Sequence, residues 1–215
     1  MNSRSTNDPA GSVGAETLRE LAELGAFLLG FAPWILFLFL SGHSLASLER
    51  AIAISLAASV VFGFSELRAG FVLQWGSLLF FAASLLAIGG FRLYWLATHM
   101  DLVANGCLAG IVWATILSGR PFALQYAQRS VPVEHRNDPA LRAACLRISL
   151  FWAVLMTVAT GMAVYRRSPW PQATESTYFL LTLLIITTGI ACTTLYKGHL
   201  RRRKRAAAAI DPGTP

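Results

Sequence analysis

Six long apolar runs, at residues 24–41, 48–66, 70–91, 102–118, 148–165 and 177–196, fill most of this 215-residue chain, and its charges gather at their ends. Apolar segments of this length and number have no place in a soluble domain of this size. They match the roughly 20 residues a helix needs to cross a bilayer. Inside lipid each must satisfy its own backbone hydrogen bonds, which leaves helices. The pattern predicts an all-α, polytopic integral membrane protein of six transmembrane helices. A polar leader (1–23) precedes a single membrane domain (24–197), and a basic tail (198–215) follows it. A longer polar elbow (119–147) separates spans four and five. The leader holds Arg4 and Arg19 against Asp8, Glu16, Glu20 and Glu23. That acidic balance does not suit a secretory signal, so the first span is expected to be retained.

Lys and Arg set the orientation. With the N-terminus inside, fourteen of the eighteen fall on inner segments; only Arg50, Arg92, Arg166 and Arg167 fall outside. Both termini are therefore expected in the cytoplasm. The net charge of +7 sits beside apolar spans, where anionic headgroups are its natural counterpart. Nucleic acid is not expected as a partner. Lipids, other membrane proteins or a second copy of the chain are.

Chemistry-bearing groups are sparse. Cys107, Cys145 and Cys192 lie far apart, without a CxxC or Cys/His spacing, and predict neither a disulfide framework nor a metal site. His43 and His99 are assigned outside, His135 and His199 inside, so no haem pair forms at one depth. No cofactor is expected. No ionisable group lies mid-span, where pumps and coupled carriers need one. Within the spans there are only Asn105, Gln74 near an entrance, and Ser or Thr clusters such as Thr157/Thr160 and Thr193/Thr194. Hydroxyls of this kind generally serve helix packing, as do the glycines Gly110, Gly161 and Gly189. No hydrolase or nucleotide-binding motif is present. Glu134, His135 and Asp138 are the one gathering of acid–base groups, in a segment that reads as a solvated loop between Pro132 and Pro139. The chain reads as non-enzymatic; a lipid-modifying enzyme would have to use those three.

An internal likeness stands out. Glu49 to Arg68 and Asp101 to Arg120 are each nineteen residues apart, and each Arg precedes a Phe-x-Leu-Gln-aromatic element, Phe71–Trp75 and Phe122–Tyr126. The spans that follow end in GGFRLYW (Gly89–Trp95) and MAVYRRSPW (Met162–Trp170). This predicts a parallel repeat of helix pairs. In the second copy Pro121 and Pro132 bracket a short helix with Phe122, Tyr126 and Arg129 on one face, an interfacial elbow. Its plain role is a topological clamp. Its sharper role is a site for a lipid headgroup or small anion built from Arg120, Gln125, Tyr126 and Arg129, with Arg68 and Gln74 from the first copy.

Three motifs resemble the bacterial intracellular septation protein A family of small inner-membrane proteins. They are Gly119-Arg120-Pro121 after span four, the stretch from Pro132 through a basic run to Trp152, and Gln74-Trp75-Gly76-Ser77-Leu78-Leu79-Phe80. The likeness covers roughly residues 48–196. It departs where the family carries an Asn early in span five and this chain has Arg147-Ile148-Ser149. The resemblance implies a bacterial inner-membrane protein of envelope organisation or division, acting through lipid or protein contacts, without assigned catalytic residues. The alternative is a small-solute channel or facilitator with a basic cytoplasmic mouth and Asn105 lining its pore.

Overall fold

The computed structural model of the chain describes residue 25 and residues 29–42, 44–168 and 174–210. The leader, His43, Trp170 and residues 211–215 lie outside the described residues. The described fold is helical throughout. Its long elements are α1 (Leu29–Leu40), α2 (Leu45–Val61), α4 (Val72–Leu85, continued by a π turn, Leu86–Gly90), α6 (Met100–Leu117), α8 (Pro139–Tyr165) and α9 (Glu175–Ile210). Short helices α3 (Phe64–Arg68), α5 (Tyr94–Thr98) and α7 (Phe122–Ser130) join them.

Four helical stretches are long and apolar enough to cross a membrane: Val72–Gly90, Met100–Leu117, Pro139–Arg166 and Ser176–Leu200. The apolar helices α1 and α2 are shorter. Leu79, Leu86, Leu180, Leu184 and Leu195 stand exposed on the outside of the bundle. Leucine rows of that kind want hydrocarbon rather than water around them. The multi-span membrane class is therefore as expected.

Local chemistry sets the helix ends. Ser44 caps α2, its Oγ accepting from Ser47 N (3.1 Å) while Ser47 Oγ accepts from Ser44 N (3.2 Å). Span five begins earlier than its apolar run indicates. Asp138 Oδ1 accepts from Ala140 N (2.8 Å) and Pro139 occupies the first helical position, so α8 starts at Pro139 rather than near residue 148. The expected loop across Pro139 is thus corrected to the first turns of a helix. Likewise α9 runs unbroken to Ile210, through the basic run.

Inside lipid, helices gain little by hiding apolar surface from one another, so close packing and hydrogen bonds hold the bundle. Three indoles do this work. Trp34 Nε1 donates to Ser77 Oγ (2.6 Å), tying α1 to α4; Trp113 Nε1 donates to Thr157 Oγ1 (3.0 Å), tying α6 to α8; Trp152 Nε1 donates to Thr193 Oγ1 (3.0 Å), tying α8 to α9. An indole N–H without a partner at that depth would cost free energy, so these pairings fix register as well as proximity. Around Trp34, the rings of Phe80 and Phe81 lie 5.0 and 5.1 Å away and extend the α1–α4 seam.

Of the three glycines expected at close approaches, Gly189 is one: a Cβ there would meet Trp152 Cη2 at 2.7 Å. Gly110 and Gly161 have open space instead, which corrects their assignment. Gly189→Ala should therefore lower the melting temperature by roughly 3–6 °C, about 1.5 kcal/mol of overpacking against a ring that cannot turn without losing Thr193. Gly161→Ala should be neutral or raise it, since alanine favours helix by up to ~1 kcal/mol. Equal shifts in thermal unfolding of the two variants would contradict the packing described.

Candidate functional site

The two Phe-x-Leu-Gln-aromatic elements meet, and glycine makes this possible. Gly70 (φ +74°) and Gly119 (φ +70°) adopt the left-handed conformation just past the ends of α3 and α6. At each, a pair of hydrogen bonds closes the helix: Gly70 N to Leu67 O (3.1 Å) with Phe71 N to Glu66 O (2.9 Å), and Gly119 N to Ile116 O with Arg120 N to Thr115 O (both 3.0 Å). Each element then starts a new helix, α4 or α7, in a new direction.

The amides at these fresh helix starts need acceptors. Thr115 Oγ1 accepts from Phe122 N (3.2 Å), and Ser149 Oγ accepts from Ala123 N (3.3 Å). Val72 N, at the head of α4, donates to Gln125 Oε1 (3.0 Å), whose Nε2 donates to Arg120 O (3.3 Å). The Phe71 and Tyr126 rings meet edge to face at 4.9 Å. Arg129 lies over the Phe71 ring (4.4 Å), donates from Nη1 to Glu66 Oε1 (2.6 Å) and from Nη2 to Ser65 O (3.1 Å). Burial pushes the Tyr126 phenol above its ordinary range; the Glu66 carboxylate adds to this and Arg129 opposes it.

Gln125, Tyr126 and Arg129 are thus brought together, with Phe71, Ser65 and Glu66 as partners that the sequence reading did not include. The other three stand apart. Gln74 is fully buried, its Nε2 donating to Ser59 O (3.0 Å) between α2 and α4. Arg68 and Arg120 are exposed, Arg68 lying over the Phe64 ring at 5.7 Å. Among the loop groups, Asp138 is engaged as the cap of α8. Among the described residues no three His, Cys, Asp or Glu side chains gather as metal ligands.

At the opposite end of α6 and α8 lies a constellation that charge and hydropathy mark only as span boundaries. Asp101, in the first turn of α6, takes Arg167 Nη1 (2.9 Å) and Nη2, and Arg166 Nη1 (3.3 Å). Arg167 also donates to Thr98 O (2.8 Å) and Ala163 O (3.2 Å). This cluster stands at the end of a cavity of about 780 Å³ between α1, α6, α8 and α9. Asn105, whose Nδ2 donates to Asp101 O (2.8 Å), lies on its wall. So does Tyr178, 8% exposed, under the Arg166 guanidinium at 5.7 Å.

Below the polar end the walls are apolar, with Leu108, Met156, Ala159, Ile185 and Ile186. At the far end Phe31 stacks on Trp152 (5.3 Å) and meets Phe122 edge to face (5.9 Å). All three rings are buried. They stand between the cavity and the elbow. The signal for this site was available: Asp101 and the Arg166-Arg167 pair flank adjacent antiparallel helices on one side. Their pairing was not, because hydropathy does not say which helices are neighbours. Family models, the curated proteins and the solved structures were all compared with this chain, and none matches it.

Proposed function

We propose that this chain is a non-enzymatic protein of the bacterial inner membrane that serves envelope organisation or division by holding lipid. The observation that carries the reading is the cavity: an elongated apolar space with charged and hydrogen-bonding groups at one end and aromatic rings at the other. That is the form of a lipid-binding crevice, and its volume lies in the range of ligand pockets. Arg68 and Arg120, exposed at the other end of the bundle, add headgroup-level contacts there.

Six crossings with both termini cytoplasmic complete the proposal. In its support, the seventeen residues of α2 lie within the spanning range, and the Lys/Arg distribution favours that orientation. A parallel repeat finds support at the two junctions α3–α4 and α6–α7, each of which runs helix end, left-handed glycine, Phe-x-Leu-Gln-aromatic element, new helix. Among α2 to α9, α6 packs most extensively with α8, and α2 with α4.

Asn105 on the cavity wall favours a second reading, a passive facilitator. The buried Phe31–Trp152–Phe122 group speaks for a closed end instead. Native mass spectrometry of the protein extracted gently from its own membrane tests the lipid reading. A defined lipid retained by the wild type and lost from Ala159→Phe, which fills the cavity, is expected. Retention in Ala159→Phe with loss in Arg120→Ala would move the lipid to the elbow. A protein that carries no defined lipid would overturn the reading.

A further inference from the structure

We infer that the cavity takes a long-chain amphiphile with an oxyanion head, a carboxylate or phosphate, whose chain lies along α8 and whose head is recognised by Tyr178. This rests on the lipid-holding reading above and names its ligand class. Length supports a chain. The lining runs along α8 from Arg166 to Trp152, and fourteen residues of helix at 1.5 Å each span about 21 Å. That is about two thirds of the ~30 Å hydrocarbon core, too long for a compact solute and suited to an extended acyl or prenyl chain.

Small side chains make the room. Ala104 on α6 and Ala159 and Ala163 on α8 line the cavity, while Met156 and Ile186 give it an apolar wall. The ring group at Trp152 and Phe31 then sets where the chain must stop.

The head chemistry follows from the polar end. Tyr178 lines the cavity and is more than nine-tenths buried, yet its phenolic oxygen has no hydrogen-bond partner among the described residues. A buried hydroxyl left so is costly unless something else engages it. The Arg166 guanidinium lies over its ring and Arg167 lines the same cavity, and both groups can only donate. Asp101 is the one carboxylate among the described lining residues, and both arginines already bind it. An oxyanion beside this donor-rich wall accepts from the Tyr178 O–H, and a charged acceptor makes that bond stronger than a neutral one would.

The test is equilibrium binding of radiolabelled palmitate to the full chain in nanodiscs. Saturable binding is expected, displaced by unlabelled palmitate and hexadecyl phosphate but not by hexadecanol or inorganic phosphate. Tyr178→Phe should weaken it by about tenfold. The same change should leave the melting temperature of the unliganded protein equal or higher, because it removes a buried hydroxyl that nothing satisfies. Ala159→Phe should abolish binding.

Displacement by hexadecanol as strong as by palmitate would overturn the oxyanion head, and equal displacement by inorganic phosphate would overturn the chain. Unchanged affinity in Tyr178→Phe would overturn its role. Absence of saturable palmitate binding, with a defined lipid still retained in native mass spectrometry, would sink this inference and leave the broader reading standing. Absence of both would sink the two together.

Discussion

Replacing Asp101 by alanine should lower the melting temperature by about 4–8 °C, the largest effect expected of any side chain at the polar end of the cavity. One carboxylate there holds two guanidiniums. Arg167 reaches it with both Nη atoms and Arg166 with one, so the start of α6 is clasped to the end of α8. Removing one partner of a fully buried ion pair costs about 3–5 kcal/mol, because the remaining charge is left without compensation. The side chains here are 25–33% exposed, and water screens part of that cost. A loss of about 2 kcal/mol is the reasonable figure, and for a chain of this size each kcal/mol moves the midpoint by roughly 2–4 °C. Arg167 would keep its bonds to Thr98 O and Ala163 O, which limits the damage. Asp101→Asn, with one oxygen still able to accept, should fall between wild type and alanine. A double-mutant cycle with Arg167→Ala should give a coupling of about 1–2 kcal/mol. Additive effects would mean that the clasp contributes nothing as a pair.

The sequence showed the helical membrane class because apolar length and charge punctuation are properties of single segments. The likeness between Phe71–Trp75 and Phe122–Tyr126 was also legible, and the cause of their shared geometry lies in Gly70 and Gly119, which permit the sharp helix stop before each. Contact between the two elements is a different matter. It depends on how one helix pair lies against the other, which neither periodicity nor charge specifies. The same gap hid the cavity, since Asp101, Arg166 and Tyr178 come from three helices whose adjacency only the fold supplies. Gln74 shows a third kind of miss. Its place at a helix entrance marked it as accessible, yet the face of α4 that carries it turns into α2. Asp138-Pro139, in contrast, is legible as a helix start, since a capping carboxylate followed by proline suits a first helical turn, although the loop-forming residues before it carry the opposite signal.

Gly63→Ala should cost about 3 kcal/mol, or roughly 6–12 °C, at the upper end of ordinary overpacking. Gly63 lies where α2 hands over to α3, and a Cβ there would come within 2.4 Å of the main-chain oxygen of Ser59 and 1.8 Å of Gln74 Nε2. The amide end of Gln74 could swing aside, although that sacrifices its bond to Ser59 O. The Ser59 carbonyl cannot move without the last turn of α2. The junction must therefore open, and α3 moves with it. Since α3 carries Ser65 and Glu66, the partners of Arg129, the strain should reach the elbow. Amide hydrogen exchange should then speed up in α7, which lies tens of residues away in sequence, while the α8–α9 contact at Trp152 and Thr193 stays protected. Gly110→Ala, with open space at its Cβ, is the matched control and should change neither property. Adding Gln74→Ala to Gly63→Ala should recover only part of the loss. Full recovery would show that the amide, rather than the Ser59 carbonyl, is the obstacle, and the elbow would then be insulated from the end of α2.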